Sequence, residues 1–194
     1  MKGKIALQSN LIFVFIVYNF GCASADYKKI ATEDPYRMIE MQEGLLKGRI
    51  TKEIKTALIT SHNKVGILAL NNKEYKKAVD HFSNALQLSE NDTLSKYNLF
   101  IAEGHILFQT GNKDKLWNAI RLYYKAAQLQ PELGDPHYYI GQSYHKIGDT
   151  EFDLILESYK TALDLKLTDK KRREIKSEYS LALDREKKLK NFWK

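Results

Sequence analysis

The chain holds a single cysteine, Cys22, among its 194 residues, so no internal disulfide forms. Prolines are equally scarce. Pro35, Pro131 and Pro136 all lie where a helix starts or has just ended, which leaves long helices free to form elsewhere. Motifs that carry chemistry are missing too. There is no phosphate-binding glycine loop, no HExxH, no paired-cysteine metal pattern and no Gly-x-Ser-x-Gly elbow. The histidines His62, His81, His105, His137 and His145 are scattered, with no neighbouring ligand cluster to complete a metal site. The sequence therefore offers no catalytic residue, no metal site and no cofactor-binding motif, and it reads as a non-enzyme.

What is present is helical periodicity. In Asn72 to Leu88, residues Tyr75, Ala78, Phe82, Ala85 and Leu86 recur at spacings of three and four, which places them on one helix face. Ala78 and Ala85 let a neighbouring helix approach, and Phe82 fills the gap beside them. Upstream, Val65, Gly66 and Ala69 mark a preceding helix, with Gly66 at the crossing, and Asn71, Asn72 and Lys73 make the turn. An antiparallel helix pair with a small-residue seam is expected.

The device recurs twice. Gly104 and Leu107 precede a turn at Gly111-Asn112, then Ala119, Tyr123, Ala126 and Leu129. Ile140, Gly141 and Tyr144 precede a turn at Gly148-Asp149, then Tyr159, Ala162, Leu163 and Leu165. The glycines Gly66, Gly104 and Gly141 are 38 and 37 residues apart. From Ile59 to Lys166 the pattern resembles the tetratricopeptide repeat, whose unit is about 34 residues, with the excess at the turns. His62, Phe100 and His137 stand where that family has Trp, and Ile155 where it has Ala. The resemblance implies an all-α fold: a right-handed α-solenoid of about three helix pairs with flanking N-terminal and C-terminal helices.

Met1 to Gly21 has a different character. Lys2 and Lys4 precede the apolar run Leu11 to Tyr18, and the small residues Gly21, Cys22, Ala23 and Ser24 follow. These are the three parts of a secretory signal; a membrane helix over the uncharged stretch Ile5 to Ser24 is the alternative. Gly21-Cys22 after the apolar run resembles a bacterial lipoprotein signal, although Asn19 stands where that box usually has an aliphatic residue. The resemblance implies cleavage before Cys22 and a lipid, such as palmitate, on its thiol. Residues 1–21 are then the signal peptide and 22–34 a lipidated cysteine with its tether. Residues 35–194 form the helical domain.

Within that domain Asp34-Pro35 starts a helix bearing Met38, Ile39, Met41, Leu45 and Leu46, and Thr51 caps the next. Thr168 caps a final helix with Ile175, Tyr179, Ala182 and Leu183 on its apolar side, suited to close a stack of repeats. The formal net charge of +7 is concentrated there: Lys170 to Lys194 holds 10 basic and 4 acidic residues, net +6. Charge alone permits nucleic acid as a partner, but an exported chain has little access to it.

These features make a protein-interaction scaffold the leading expectation. It would be lipid-anchored in the bacterial cell envelope, in the outer rather than the inner membrane, and would hold a protein or peptide segment on its inner groove. A structural homo-oligomer is the alternative, and an enzyme without a recognisable motif a distant third. In the repeat family the groove is lined by first helices. That resemblance selects Asn63, Ile67, Leu70 and Asn71 from the first pair and Ile101, His105, Phe108 and Gln109 from the second. From the third pair it selects Tyr138, Gln142, His145 and Lys146. This set lacks the lysine, asparagine and arginine combination with which chaperone-binding relatives clamp a carboxylate. Apolar anchors, Phe108 and Tyr138 foremost, are expected to hold the partner while amides satisfy its polar groups.

Overall fold

A computed structural model describes residues 26–148 and 152–192; the signal segment and Cys22 lie outside the described residues. Ten helices make up the described chain, with no strand among the described residues. They are α1 (Tyr27–Glu33), α2 (Pro35–Glu40), α3 (Gln42–Leu46), α4 (Lys52–Asn71) and α5 (Tyr75–Leu88), then α6 (Thr93–Thr110), α7 (Lys113–Leu129), α8 (Asp135–Ile147), α9 (Phe152–Asp164) and α10 (Asp169–Phe192).

The helix starts follow local chemistry. Asp26, Asp34, Thr51, Asp92 and Asn112 each accept a hydrogen bond from the backbone N–H three residues on, satisfying a donor that the helix leaves free. Thr168 does the same for Lys171. Two of the three expected turns fall in place, while the third, at Gly148-Asp149, reaches outside the described residues. Lys73 adopts φ 62° after α4, and Gly111 adopts φ 74° after α6, where a left-handed residue ends the helix. Two loops are tied together by backbone bonds, with Lys166 N–H donating to Glu132 O at 2.9 Å and Gly134 N–H to Lys166 O at 3.0 Å.

One expectation is corrected at the N-terminal end. The stretch read as a tether contains α1, because Tyr27, Ile30 and Ala31 pack with Met38 onto Ile54, Ala57 and Leu58. Seven residues give too short a period to stand out in sequence, but Ala31 is buried against α4. The helix expected from Pro35 to Leu46 forms as α2 and α3, joined at Met41, and α4 runs unbroken through Thr60-Ser61.

From α4 onward each helix packs chiefly on the helices immediately before and after it, while α1 and α2 lie on α4. Three contacts of one kind hold the pairs. A β-carbon placed on Gly66 would lie 2.6 Å from Phe82 Cε1; on Gly104, 2.4 Å from Tyr123 Cε1; on Gly141, 2.5 Å from Tyr159 Cδ1. In each pair the ring of the second helix rests on the bare backbone of the first. Ala78, Ala85, Ala126 and Ala162, expected at the crossings, are fully buried, as are Phe82, Tyr123 and Tyr159.

Candidate functional site

The residues selected for the groove fall into three environments. Asn63 and Ile101 are core. Asn63 Nδ2 donates to Asp92 Oδ2 at 3.2 Å, and Ser95 Oγ donates to Asn63 Oδ1 at 3.0 Å, so this amide ties α4 to the start of α6. Ile101 is buried among aromatic residues of α6 to α8. Neither side chain is presented to a partner, because each completes a helix–helix contact.

The second environment is a covered aromatic seam. His105 Nδ1 and the Tyr123 hydroxyl share a hydrogen bond at 2.9 Å, and the His105 ring lies 4.9 Å from Tyr75 and 4.5 Å from Tyr139. Burial, helped by the Lys171 ammonium, pushes the imidazole down to about 4, so it is neutral at pH 7. Tyr138 differs from its expected role. It is 1% exposed; its hydroxyl donates to Glu174 of α10 at 2.7 Å and accepts from Gln142 Nε2 at 2.7 Å. The Lys171 ammonium sits 4.8 Å from the centre of its ring and 3.0 Å from Glu174. His145 meets Arg185, also from α10. Three of the four positions selected from the third pair, Tyr138, Gln142 and His145, are thus engaged within the chain. Nothing in the periodicity of α10 specifies Lys171, Glu174 and Arg185 as the residues that reach back; only their place on a shared face, Glu174 one turn after Lys171 and Arg185 three turns after Glu174, hints at it.

The third environment is open. Asn71, Gln109 and Lys146 are exposed, and Ile67, Leu70 and Phe108 are half-buried. Lys146 bridges two helices: its ammonium donates to the Phe108 carbonyl at 2.8 Å and lies 4.5 Å from the centre of the Phe108 ring. Beside this strip a hollow of about 350 Å³ is lined by Tyr75, Ile106, Gln109 and the side chains of Lys73 to Lys77. Tyr75, which sequence reasoning placed on the packing face of α5, therefore also borders the open surface.

Outside the groove, His62 and His81 face each other with their Nδ1 atoms 3.1 Å apart, and His62 Nε2 donates to Gln42 Oε1 at 2.6 Å. Burial first, then the neighbouring imidazole, pushes His62 down to about 4. Among the described residues no group of three or more His, Cys, Asp or Glu is placed to hold a metal ion. No described helix is long and apolar enough to cross a membrane. Buried hydroxyls such as Tyr159 OH and Ser61 Oγ have no hydrogen-bond partner among the described residues.

No protein-family model matches this sequence, and a search of curated proteins returns no similar chain.

Proposed function

We propose that this chain is a membrane-anchored scaffold for protein binding, built from three tetratricopeptide-type helix pairs, α4–α5, α6–α7 and α8–α9, stacked as a right-handed solenoid and capped by α10. The recurrent glycine–ring contact carries the reading. Gly66 with Phe82, Gly104 with Tyr123 and Gly141 with Tyr159 are the same contact at the same place in successive pairs. From α4 onward, packing chiefly between chain neighbours also favours a quasi-linear stack over a closed bundle. The apolar run before Cys22 and the Gly21-Cys22 step support a lipid anchor in a bacterial envelope, in the outer membrane by preference.

The partner is a protein segment, extended or helical, seated on the open strip. Ile67, Leu70 and Phe108 supply apolar anchors there, while Asn71, Gln109 and Lys146 satisfy polar groups. Site-specific crosslinking tests this. A photoreactive residue at Gln109 in the full chain should capture a discrete partner in its native membrane, and one at buried Ala119 should not. Equal capture from both positions, or from neither, removes the groove reading.

A further inference from the structure

The outward face of α10 combines exposed bases with exposed apolar side chains. Its acids are mostly engaged. Glu174 binds Lys171 and Tyr138, Glu186 binds Lys190 at 2.7 Å, and Glu178 is half-buried. Its bases are not. Lys170, Arg173, Lys176, Lys187 and Lys188 are exposed. At 3.6 residues per turn these five share one face: Lys176 and Lys187 are 11 residues apart, three turns, and Lys170 and Lys188 are 18 apart, five turns. Only Asp169 and Asp184 dilute that face, which leaves it three positive charges in excess. An apolar edge runs along it. Leu181 is 56% exposed and Phe192 is 78% exposed, again three turns apart. Ala182 is the last buried residue among the described residues of the helix, so the turns beyond it lie outside the core.

We infer that this face of α10 docks on an anionic lipid surface. The helix, 24 residues long, lies along the headgroups with its lysines among the phosphates and Leu181 dipping beneath them. Charge complementarity supplies the attraction. The apolar edge selects lipid over nucleic acid, whose phosphates reward the bases alone and give exposed leucine no apolar layer to enter. The neighbouring helix α9 exposes Asp153, Glu157 and Asp164, which confines the contact to α10 and turns α9 away from the surface. The inference rests on the membrane anchorage proposed above, since a protein held at a bilayer meets this ligand continuously.

The test uses the full membrane-extracted chain carrying Ser180→Cys, a position within the basic arc, labelled with a polarity-sensitive thiol dye. It is reconstituted into vesicles of phosphatidylcholine alone or with about one-third phosphatidylglycerol. Dye emission should shift to the blue and strengthen only on the anionic vesicles, and 0.5 M salt should reverse it. Each basic residue near such a surface favours docking about fivefold. Lys176→Gln with Lys187→Gln and Lys188→Gln should therefore lower the docked-to-free ratio about a hundredfold, with helicity unchanged. Equal emission on both vesicles, or an undiminished response in the triple variant, overturns the inference. So does a response to a duplex oligonucleotide or to an acidic protein on neutral vesicles that matches the response to lipid. The thiol count reads the anchor separately. One labelled cysteine reports an acylated Cys22; two report a free one, and the lipid preference is then read with Cys22→Ser.

Discussion

Gly141 and Tyr159 meet with no room for a methyl group: a β-carbon at Gly141 would stand 2.5 Å from the ring and 3.3 Å from Ser158 Cβ. Both residues are buried, and the ring belongs to the main core cluster that extends to Ile175 and Ala182 of α10. Gly141→Ala must therefore displace a ring that the next helix holds in place. Overpacking of this kind costs about 1–3 kcal/mol. Gly44 is the internal control, because a β-carbon there meets nothing within 4 Å and the residue is exposed on α3. Gly44→Ala should be neutral or stabilising by up to ~1 kcal/mol. Calorimetry should show a lowered Tm for Gly141→Ala and an unchanged or raised one for Gly44→Ala; a Gly141→Ala protein as stable as the parent removes the close contact as a determinant of the fold.

Tyr138 and Phe108, paired by sequence reasoning as exposed anchors, should separate on mutation. Tyr138 is core, bonded to both Glu174 and Gln142, and its truncation to Ala should cost about 3–5 kcal/mol, as for other large buried rings. Tyr138→Phe keeps the packing but strips the hydroxyl from two polar partners, a loss of about 1–3 kcal/mol. Phe108 is half-buried, so Phe108→Ala should spare most of the stability while weakening partner capture. Denaturation in urea beside the crosslinking assay distinguishes the two. Equal destabilisation by both alanine variants would place Phe108 in the core as well.

Much of this architecture is legible in sequence because it is local. Asp34, Thr51 and Thr168 announce their helices through capping chemistry, and Ala78, Ala85, Ala126 and Ala162 mark the crossings through their spacing. What the sequence does not reveal is which groove positions a later helix covers. Tyr138, His145 and Phe108 occupy equivalent kinds of place in the repeat pattern. Only the side chains that α10 returns, Lys171, Glu174 and Arg185, decide that two of them are occupied from within. Helix α1 escapes for a related reason: its identity as a helix rests on Ala31 meeting Ala57 and Leu58, 26 and 27 residues away. Asn63 reads as polar and available until Asp92 and Ser95 close on it.

Stability should fall as the solution becomes mildly acidic. All five histidines are held below their ordinary value, His62 and His105 down to about 4, with burial the leading cause in each case. The unfolded chain, with histidines near 6.5, binds protons that the folded chain refuses. Their contribution is therefore fully present above about pH 6.5 and is lost progressively as pH falls toward 4. Burial raises Glu103 and Asp135, which act in the opposite sense. His62→Gln isolates the imidazole, because glutamine retains a polar partner for Gln42 and His81 without titrating. The urea midpoint should drop between pH 7.5 and 5.5 in the parent and drop less in His62→Gln. Identical pH dependence in the two proteins would show that His62 is not excluded from protonation.

The position of α1 tightens the expectation for Cys22. With the helix starting at Tyr27 and capped by Asp26, only four peptide steps separate Cys22 from Asp26. At no more than ~3.6 Å per residue, those steps span at most about 14 Å. A lipid on Cys22 would therefore hold the N-terminal end of the helical body close against the bilayer rather than at the end of a long tether. Each buried methylene contributes about 0.8 kcal/mol to anchoring, and more than one chain makes the attachment stable. Intact-mass measurement of the membrane fraction should give a chain beginning at acylated Cys22, and Cys22→Ala should release the protein or leave the signal uncut. A mature chain that keeps Met1, or one that starts beyond Cys22, is incompatible with the anchor. Inserting ten flexible residues between Cys22 and Asp26 should leave acylation intact while weakening the docking of α10, because a longer linker lowers the effective concentration of that helix at the surface.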